Sequence, residues 1–331
     1  MGTDALKEQL ERYRAVFLHS GWRCASTYVW NRFRRNPHTT SFYEPFGENL
    51  ARSSHKRIRR QTAQGWDSRH PPLAQPYAEE YRPLLRPFLK GVPGYHETFA
   101  LERYFPTAAG IGPEVGYISR LILHARRRGT SPVLGFSRSL GRAAALKHAL
   151  GGYHILIRRN PWQQWLSCRS YRDRMAISYF ELCHFLILAL APAGTAARRF
   201  ADTLHLPALP HGMPQQLRFL NSALQPWSDE LSYRAFIAVS LLSLAVAEPI
   251  ADLVLDVDRL GRSPQYRETV RTRLLADVGL GVDFGDCRVP SRDLGLVPVD
   301  FASVERDVKM DLLSCGADIA PTCTPARAVG A

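Results

Sequence analysis

Four short apolar runs separated by helical patterns constrain the fold of this chain most strongly. They lie at residues 15–19, 132–137, 153–158 and 251–257. Runs of this length that are bounded by turns indicate buried strands rather than helices. Strands that alternate with helices favour a parallel sheet covered on both faces. We therefore expect an α/β fold, a three-layer sandwich around a central parallel sheet.

The remaining pattern predicts one domain over residues 1–320, followed by a loose C-terminal tail at 321–331. A short additional strand is expected at Thr40–Tyr43. The segment 47–112 is rich in Pro, Arg, His and aromatic residues and contains a predicted helix at Ala78–Leu89. We expect this segment to form a lid or insertion over the carboxyl edge of the sheet.

Arginine dominates the basic residues of this chain, whose formal net charge is +13. Guanidinium groups bind phosphate and sulfate oxygens in pairs, so the bias suits an anionic ligand. A genome that prefers Arg codons would produce the same bias. Net charge bears on solubility and association, so it does not by itself identify the function. The six cysteines form no CxxC pair, which argues against a structural zinc site and a disulfide framework.

The apolar segments are too short to predict a membrane protein. The longest, Phe185–Ala193 and Phe236–Ala247, fall below the roughly 20 residues that span a bilayer. The segment Met1–Arg14 is polar and lacks the apolar core of a secretory signal. We expect buried helices, no transmembrane segment, and a cytoplasmic location.

The first apolar run leads into a turn that is suited to hold an anion. The turn and the start of the following helix read Ser20-Gly21-Trp22-Arg23-Cys24-Ala25-Ser26-Thr27. A strand that enters a helix through a tight turn leaves free backbone N–H groups, and the helix dipole favours negative charge there. Gly21 allows close approach of the backbone, Arg23 adds a cation, and the two hydroxyl residues add donors. The turn is neither a GxxxxGK[ST] loop nor a GxGxxG turn.

A second set of anion-binding residues follows the strand predicted at 153–158. This strand ends in Arg159-Asn160-Pro161, proline favours a helix start there, and Ser167 follows Arg159 by eight residues. Two strand ends that each supply such a set fit a nucleotide with two separated phosphate groups.

The two motifs together resemble the sulfotransferases that use 3′-phosphoadenosine 5′-phosphosulfate (PAPS), in particular the bacterial and carbohydrate types. The resemblance covers about the first half of the chain. It implies that residues 20–27 form a P-loop-like turn for the 5′-phosphosulfate, and that Arg159 and Ser167 bind the 3′-phosphate. Trp22 and Cys24 depart from the small or basic residues usual in that loop. Trp22 is expected to turn outward, to pack on the purine or acceptor, or to plug the edge of the sheet.

The resemblance implies transfer of a sulfuryl group from PAPS to a hydroxyl of an acceptor, which leaves 3′,5′-ADP and requires no metal. The acceptor would be a carbohydrate, a glycolipid or another small molecule. Arg23 would stabilise the charge that develops on the leaving phosphate. The first candidate for the general base is Glu44, which follows a short strand among apolar residues that would raise its pKa. The second candidate is His96, beside Glu97, while His19 is expected to orient the turn.

Other charged residues at the predicted sheet edge can be explained by structural roles without a ligand. Arg138 and Arg142 could line the ligand cleft, but ordinary solvated arginines at a helix start are slightly favoured. Three aspartates lie along the last strand and its exit, and we interpret them as capping residues rather than a divalent metal site: Asp252, Asp256 and Asp258.

Two other function classes compete with sulfuryl transfer. A P-loop kinase-like nucleotide phosphotransferase would need Mg²⁺ and a Walker lysine, which the turn lacks. A basic nucleic-acid-binding protein would exploit the charge of +13, but the sequence has no recognisable reader motif. We therefore expect no nucleic-acid partner. No pattern in the sequence identifies the acceptor or the oligomeric state.

Overall fold

A parallel sheet of five strands forms the centre of the molecule. The structure is a computed structural model, and it describes residues 13–60, 73–107, 109–172, 175, 177–290 and 297–319. The strands are β1 (Val16–His19), β2 (Thr39–Tyr43), β3 (Ser131–Phe136), β4 (Tyr153–Arg158) and β5 (Leu253–Asp256). Their order across the sheet is β2-β3-β1-β4-β5, and every neighbouring pair is parallel. The parallel α/β sheet expected from the apolar runs is confirmed. The predicted tail at 321–331 lies outside the described residues.

Twelve α-helices surround this sheet in the part of the chain that the structure describes. They are α1 (Ser26–Arg34), α2 (His55–Arg59), α3 (Gly112–Arg127), α4 (Ala143–Leu150), α5 (Pro161–Arg172), α6 (Tyr179–Ala189), α7 (Ala196–Thr203), α8 (Met213–Ala223), α9 (Asp229–Ala247), α10 (Val257–Arg262), α11 (Pro264–Val278) and α12 (Phe301–Ser314). Short 3₁₀ helices cover Glu48–Arg52, Glu79–Leu84, Glu97–Phe99 and Leu140–Arg142.

Alternate residues of β1 enter different cores, because successive side chains of a strand point to opposite faces. Phe17 packs with residues of α3 and α4, whereas Val16 and Leu18 pack with residues of α1, α10 and α11. A further buried cluster lies among α5, α6, α7, α9 and α12. Helices thus cover both faces of the sheet, as the three-layer prediction requires.

The segment 47–112 packs into the core that covers one face of the sheet. Leu50, Ile58, Tyr81 and Phe99 are buried there with Phe42 of β2 and residues of α3. The helix predicted at Ala78–Leu89 is reduced to the 3₁₀ turn Glu79–Leu84. Prolines at 83 and 87 lack the N–H donors that a longer α-helix would need. Whether the segment acts as a lid stays a prediction.

One described helix, α9, is long and apolar enough to cross a membrane by length and composition. A core helix of a globular protein passes the same test. Ten of its residues are buried within the protein, and it packs against α6 and α12. These contacts fit the sequence interpretation of the segment as core packing.

Candidate active site

The turn after β1 is fixed to the neighbouring strand and curls in a left-handed conformation. The backbone N–H and the hydroxyl of Ser20 both donate to Phe136 O, at 3.1 and 2.9 Å. Arg23 and Ala25 have φ angles of 63° and 57°, in the region that L-residues rarely occupy. Such left-handed residues direct successive backbone N–H groups into a concave anion site. Ala25 is the residue before α1, and its side chain makes no capping hydrogen bond. No side-chain acceptor of Ala25 therefore competes for the first backbone N–H groups of α1.

The structure brings the two predicted phosphate-binding motifs into direct contact. β1 and β4 are neighbours in the sheet, so the residues after their carboxyl ends meet at one edge. Arg23 Nε donates to Ser167 Oγ at 3.0 Å, and Arg159 Nη1 donates to Arg23 O at 2.9 Å. Gln164 Nε2 donates to Trp22 O at 2.8 Å. The two motifs therefore form one continuous set of cations and hydroxyl groups.

Arg159 and Ser167 keep hydrogen-bonding capacity in this arrangement. Both terminal nitrogens of Arg159 are engaged by backbone carbonyls, since Nη2 donates to Pro290 O at 2.7 Å. Its buried Nε has no hydrogen-bond partner among the described residues, and such a group costs free energy unless something pairs with it. Ser167 Oγ accepts from Arg23, so its own O–H can donate elsewhere. An anion at this position would accept hydrogen bonds from both Arg159 Nε and the Ser167 hydroxyl.

Trp22 does not turn outward; it is 5 % exposed and belongs to the helical core cluster. Its ring meets the edge of His184 at 5.5 Å between centroids, and the Arg138 guanidinium lies 5.3 Å from its centroid. Its Nε1 is buried and has no hydrogen-bond partner within the part of the chain that the structure describes. Trp22 thus fills the edge of the sheet between the turn and the residues that follow β3. Packing against a purine or an acceptor stays a prediction.

Glu44 lies at the end of β2 in a strained backbone conformation, with φ of 47°. Its N–H extends the sheet by donating to Gly135 O at 2.8 Å. Ser137 N and Arg138 Nη1 donate to its Oε2, at 3.2 and 2.8 Å, and the side chain keeps 14 % exposure. Burial raises the pKa of Glu44, while Arg138 and the Ser137 hydrogen bonds act in the opposite direction. The carboxyl is therefore held in a fixed position and binds protons more readily than a solvated glutamate.

Arg138 is buried and connects two carboxylates, which contradicts the solvated arginine that the sequence slightly favoured. It is 6 % exposed. Its Nη2 donates to Glu48 Oε2 at 2.9 Å and to the Tyr179 hydroxyl at 2.7 Å, and that hydroxyl donates to Glu48 Oε1 at 2.6 Å. Burial opposes its charge, but the two carboxylates and Tyr179 raise the pKa of Arg138. Sequence reasoning missed Glu48 and Tyr179, because no spacing rule joins residues so distant in the chain.

Arg142 is also fully buried, again contrary to the surface position that the sequence slightly favoured. Glu114 of α3, equally buried, accepts from Arg142 Nη1 at 3.4 Å and from Arg103 Nε at 2.6 Å. Arg142 Nη2 donates to Phe99 O at 2.5 Å and to Arg138 O at 3.1 Å. Burial lowers the pKa of Arg142 to about 10. This second buried ion cluster holds the backbone at Arg138 in place.

His19 connects the end of β1 to the residue after Arg138. Its Nδ1 lies 2.6 Å from Ser139 Oγ, its Nε2 lies 2.9 Å from His154 Nδ1, and His154 Nε2 lies 3.0 Å from Gly151 O. A carbonyl only accepts, so His154 Nε2 carries a hydrogen, its Nδ1 accepts from His19, and His19 Nδ1 accepts from Ser139. Burial lowers the pKa of His19 and brings that of His154 to about 4. Both shifts favour the neutral rings that this chain of hydrogen bonds requires, and the chain fits the orienting role expected for His19.

His96, the second candidate base, is exposed. Its Nδ1 lies 2.9 Å from Thr98 Oγ1, and its ring lies 6.1 Å from that of Phe99. Across the described ranges, no hydrogen bond or ion pair connects it to Glu44 or Arg138. The structure therefore separates the two candidate bases by environment, with Glu44 buried and His96 in solvent.

The aspartates of the last strand act as hydrogen-bond acceptors for backbone groups. Asp256 Oδ1 accepts from Arg259 N at 2.9 Å, and Asp258 Oδ2 accepts from Asn160 N at 2.6 Å. Asp252 accepts from the backbone of His154 and pairs with a lysine. These contacts agree with the capping interpretation. No group of three or more metal-ligating side chains occurs among the residues that were searched, which are the described ones.

Comparisons with known proteins add one likeness. A scan against protein-family models gives no match, and neither does a search of curated proteins. Among solved structures, the chain is similar to a sulfotransferase from Alicyclobacillus acidocaldarius, at 14 % identity and a TM-score of 0.39, over 91 % of this chain and 94 % of that one. A likeness at this level does not decide a function, so the functional argument rests on the site itself.

Proposed function

We propose that this protein is a sulfotransferase that moves a sulfuryl group from PAPS to a hydroxyl of a carbohydrate, glycolipid or other small-molecule acceptor. The observation that carries the proposal is the contact between the two motifs, in which Arg23 Nε reaches Ser167 Oγ at 3.0 Å and Arg159 Nη1 reaches Arg23 O at 2.9 Å. A nucleotide with phosphate groups on both the 5′ and 3′ positions matches two adjoining anion sets better than a single triphosphate does.

In this proposal the left-handed turn 20–25 and the first N–H groups of α1 bind the 5′-phosphosulfate. The unpartnered Arg159 Nε and the Ser167 hydroxyl bind the 3′-phosphate. The donor supplies the activated sulfuryl group. Arg23, whose guanidinium lies 5.3 Å from the ring of Phe180, stabilises the negative charge that develops on the leaving phosphate.

Glu44 is the proposed general base, which takes the proton of the acceptor hydroxyl. Burial raises its pKa, so it binds that proton more readily than a solvated carboxylate would. Arg138 is a positioning residue, because its hydrogen bond to Oε2 fixes the direction of the carboxyl group. His96 remains the alternative base.

A nucleotide kinase is the second enzyme class, and the residues disfavour it. Residues 20–27 contain no lysine, whereas a Walker loop uses one to bind the β- and γ-phosphates. The cations of the site are arginines that extend from two different strand ends, not a single phosphate cradle.

Nucleotide binding tests the proposal directly. Isothermal calorimetry should show binding of 3′,5′-ADP that is tighter than that of 5′-AMP, with no comparable binding of ATP with Mg²⁺ or of duplex DNA. Arg159→Ala should reduce the preference for 3′,5′-ADP over 5′-AMP by about 10- to 100-fold, the value of a charge-assisted hydrogen bond. Arg158→Ala is the matched control, because the neighbouring Arg158 pairs with Glu248 instead. An unchanged preference in Arg159→Ala, or tighter binding of ATP, would refute the assignment.

Sulfuryl transfer tests the role of Glu44. Labelled PAPS incubated with a cell extract and the protein should yield a labelled product whose mass identifies the acceptor. Glu44→Gln should abolish this transfer while leaving the affinity for 3′,5′-ADP intact, and His96→Gln should retain it. The opposite result for the two variants would move the base to His96.

A further inference from the structure

Five consecutive residues, Arg86–Lys90, form an exposed loop tip. Phe88 is 106 % exposed and Leu89 is 55 % exposed. Single apolar residues on a surface are ordinary, but an adjacent Phe and Leu at the end of a loop present a compact apolar group to the surroundings. The tip makes no contribution to the core that would account for these side chains.

The backbone at Phe88 is held in a conformation that a bulky residue rarely adopts. Its φ is 65°, in the left-handed region that is unfavourable for an L-residue. Because its side chain packs against nothing within the described residues, no buried contact offsets that cost. Strain of this kind is retained where the surroundings or a function require it.

The tip is anchored at both ends beside the basic helix α2 (His55–Arg59). Leu85 precedes it and is buried in the core. After the tip, Gly91 N donates to Ser53 O at 2.8 Å and Val92 N donates to Leu50 O at 3.1 Å. Ser53 directly precedes Ser54, which caps α2 by accepting from Arg57 N. These contacts place the apolar tip next to the first turn of α2.

Exposed basic side chains occupy both the tip and the neighbouring segment 56–60. The exposed cations are Lys56, Arg57, Arg59, Arg60, Arg86 and Lys90. None of the six forms an ion pair within the ranges that the structure describes. Residues 52–60 and 86–90 contain no acidic residue. An apolar tip among unpaired cations is complementary to a surface that is negatively charged outside and apolar beneath.

We propose that the tip Arg86–Lys90 and helix α2 dock this protein on an anionic lipid membrane. Phe88 and Leu89 enter the interface between head groups and acyl chains, and the cations contact the anionic head groups. The charges alone would suit any polyanion. The exposed Phe-Leu pair favours a membrane, because only a surface with an apolar layer covers these two side chains.

Flotation with vesicles of equal parts phosphatidylcholine and phosphatidylserine tests this docking, and it uses no nucleotide. The protein should bind these vesicles, bind pure phosphatidylcholine vesicles weakly, and dissociate as salt rises. Phe88→Ser should weaken binding at least about tenfold. Arg57→Gln combined with Arg59→Gln should weaken it about 25-fold, at about fivefold for each cation.

Matched controls keep the result interpretable. Met310→Ser removes another exposed apolar side chain, 66 % exposed on α12, and should leave binding unchanged. Arg127→Gln combined with Arg128→Gln makes the same charge change at the end of α3, just before the amino end of β3. All variants should keep the unfolding temperature of the parent protein.

Three results would overturn the proposal. The first is no binding to the phosphatidylserine vesicles, or binding that the controls reduce as much as the test variants do. The second is binding that Phe88→Ser leaves intact, which would show a general attraction to polyanions. The third is a lipid-free dimer that Phe88→Ser converts to a monomer, which would assign the tip to a second copy of the chain.

Discussion

Replacing Glu114 by Gln should destabilise the fold more than the same replacement of a glutamate on the surface. The substitution keeps the size of the side chain and removes the charge that faces Arg142. Both side chains are 0 % exposed. Taking one partner from a buried ion pair leaves the other charge uncompensated, at a cost of about 3–5 kcal/mol.

The contacts that remain to Arg142 explain why the loss should be large. Without Glu114, its guanidinium keeps two backbone carbonyls, Phe99 O and Arg138 O, and the face of Phe46 at 4.2 Å. Its Nε is already buried, with no hydrogen-bond partner in the described ranges. Carbonyl dipoles cannot replace a full negative charge at a fully buried position. Since a typical domain is stable by only about 5–15 kcal/mol, the expected change is a large fraction of the total.

Urea unfolding followed by tryptophan fluorescence measures this loss, with the free energy of unfolding extrapolated to water. Glu268→Gln is the matched control, because Glu268 pairs with Arg271 on the surface of α11 and should change stability little. Glu114→Gln combined with Arg142→Met should recover about 2 kcal/mol of the loss, because it removes the orphaned charge that is fully buried, whereas Arg103, which also loses its carboxylate, is 22 % exposed and reaches solvent. A loss below about 1 kcal/mol for Glu114→Gln alone would refute the reasoning.

Acid should also destabilise the protein, since burial lowers the pKa of His154 to about 4 and that of His184 to about 3. The unfolded chain binds these protons below about pH 6.5 and the folded chain excludes them, so stability present at pH 7 is lost at about 1.4 kcal/mol per pH unit and ring as the pH falls. His184→Phe should therefore narrow the difference in unfolding free energy between pH 7 and pH 5 by about 2 kcal/mol, and an unchanged difference in urea titrations would contradict this. In the turn 20–25, Ala25→Gly should retain the affinity for 3′,5′-ADP and remove the cost of about 1–2 kcal/mol that an L-residue pays at a φ of 57°, whereas Ala25→Val should lower stability further because a branched side chain resists this φ. Calorimetry and urea unfolding that found both variants alike would argue against the left-handed turn.

The sheet could be predicted from the sequence because a parallel strand that is buried on both faces is a nearly continuous apolar run. β4 was predicted at 153–158 and is observed at Tyr153–Arg158. β5 was predicted at 251–257 and is observed as the shorter Leu253–Asp256. The helix predicted at Ala78–Leu89 is observed only as the 3₁₀ turn Glu79–Leu84, because two prolines in this segment lack the backbone donors of a longer α-helix.

The residues of the candidate site also differ in whether the sequence alone could predict them. The turn 20–25 and the Arg159-Asn160-Pro161 motif could be found because strand ends and glycine, proline and hydroxyl residues mark them locally. The burial of Arg138 could not be predicted, because it depends on partners that are 90 or more residues away in the chain, Glu44 and Glu48. Only the strand order, which places β3 between β2 and β1, brings these groups to the same edge.

That strand order also separates charge along the carboxyl edge of the sheet. Arg23 and Arg159 lie after β1 and β4, whereas the cluster of Arg138 with Glu44 and Glu48 has one more negative than positive charge and lies after β2 and β3. Under the proposed function, an anionic donor would be attracted to the first end and repelled from the second, which would orient it. Under the proposed function the same repulsion acts on Glu44, since a bound anion disfavours a nearby carboxylate and raises its proton affinity further. Glu44 would therefore become a stronger base when the donor is bound, so that donor binding precedes removal of the acceptor proton.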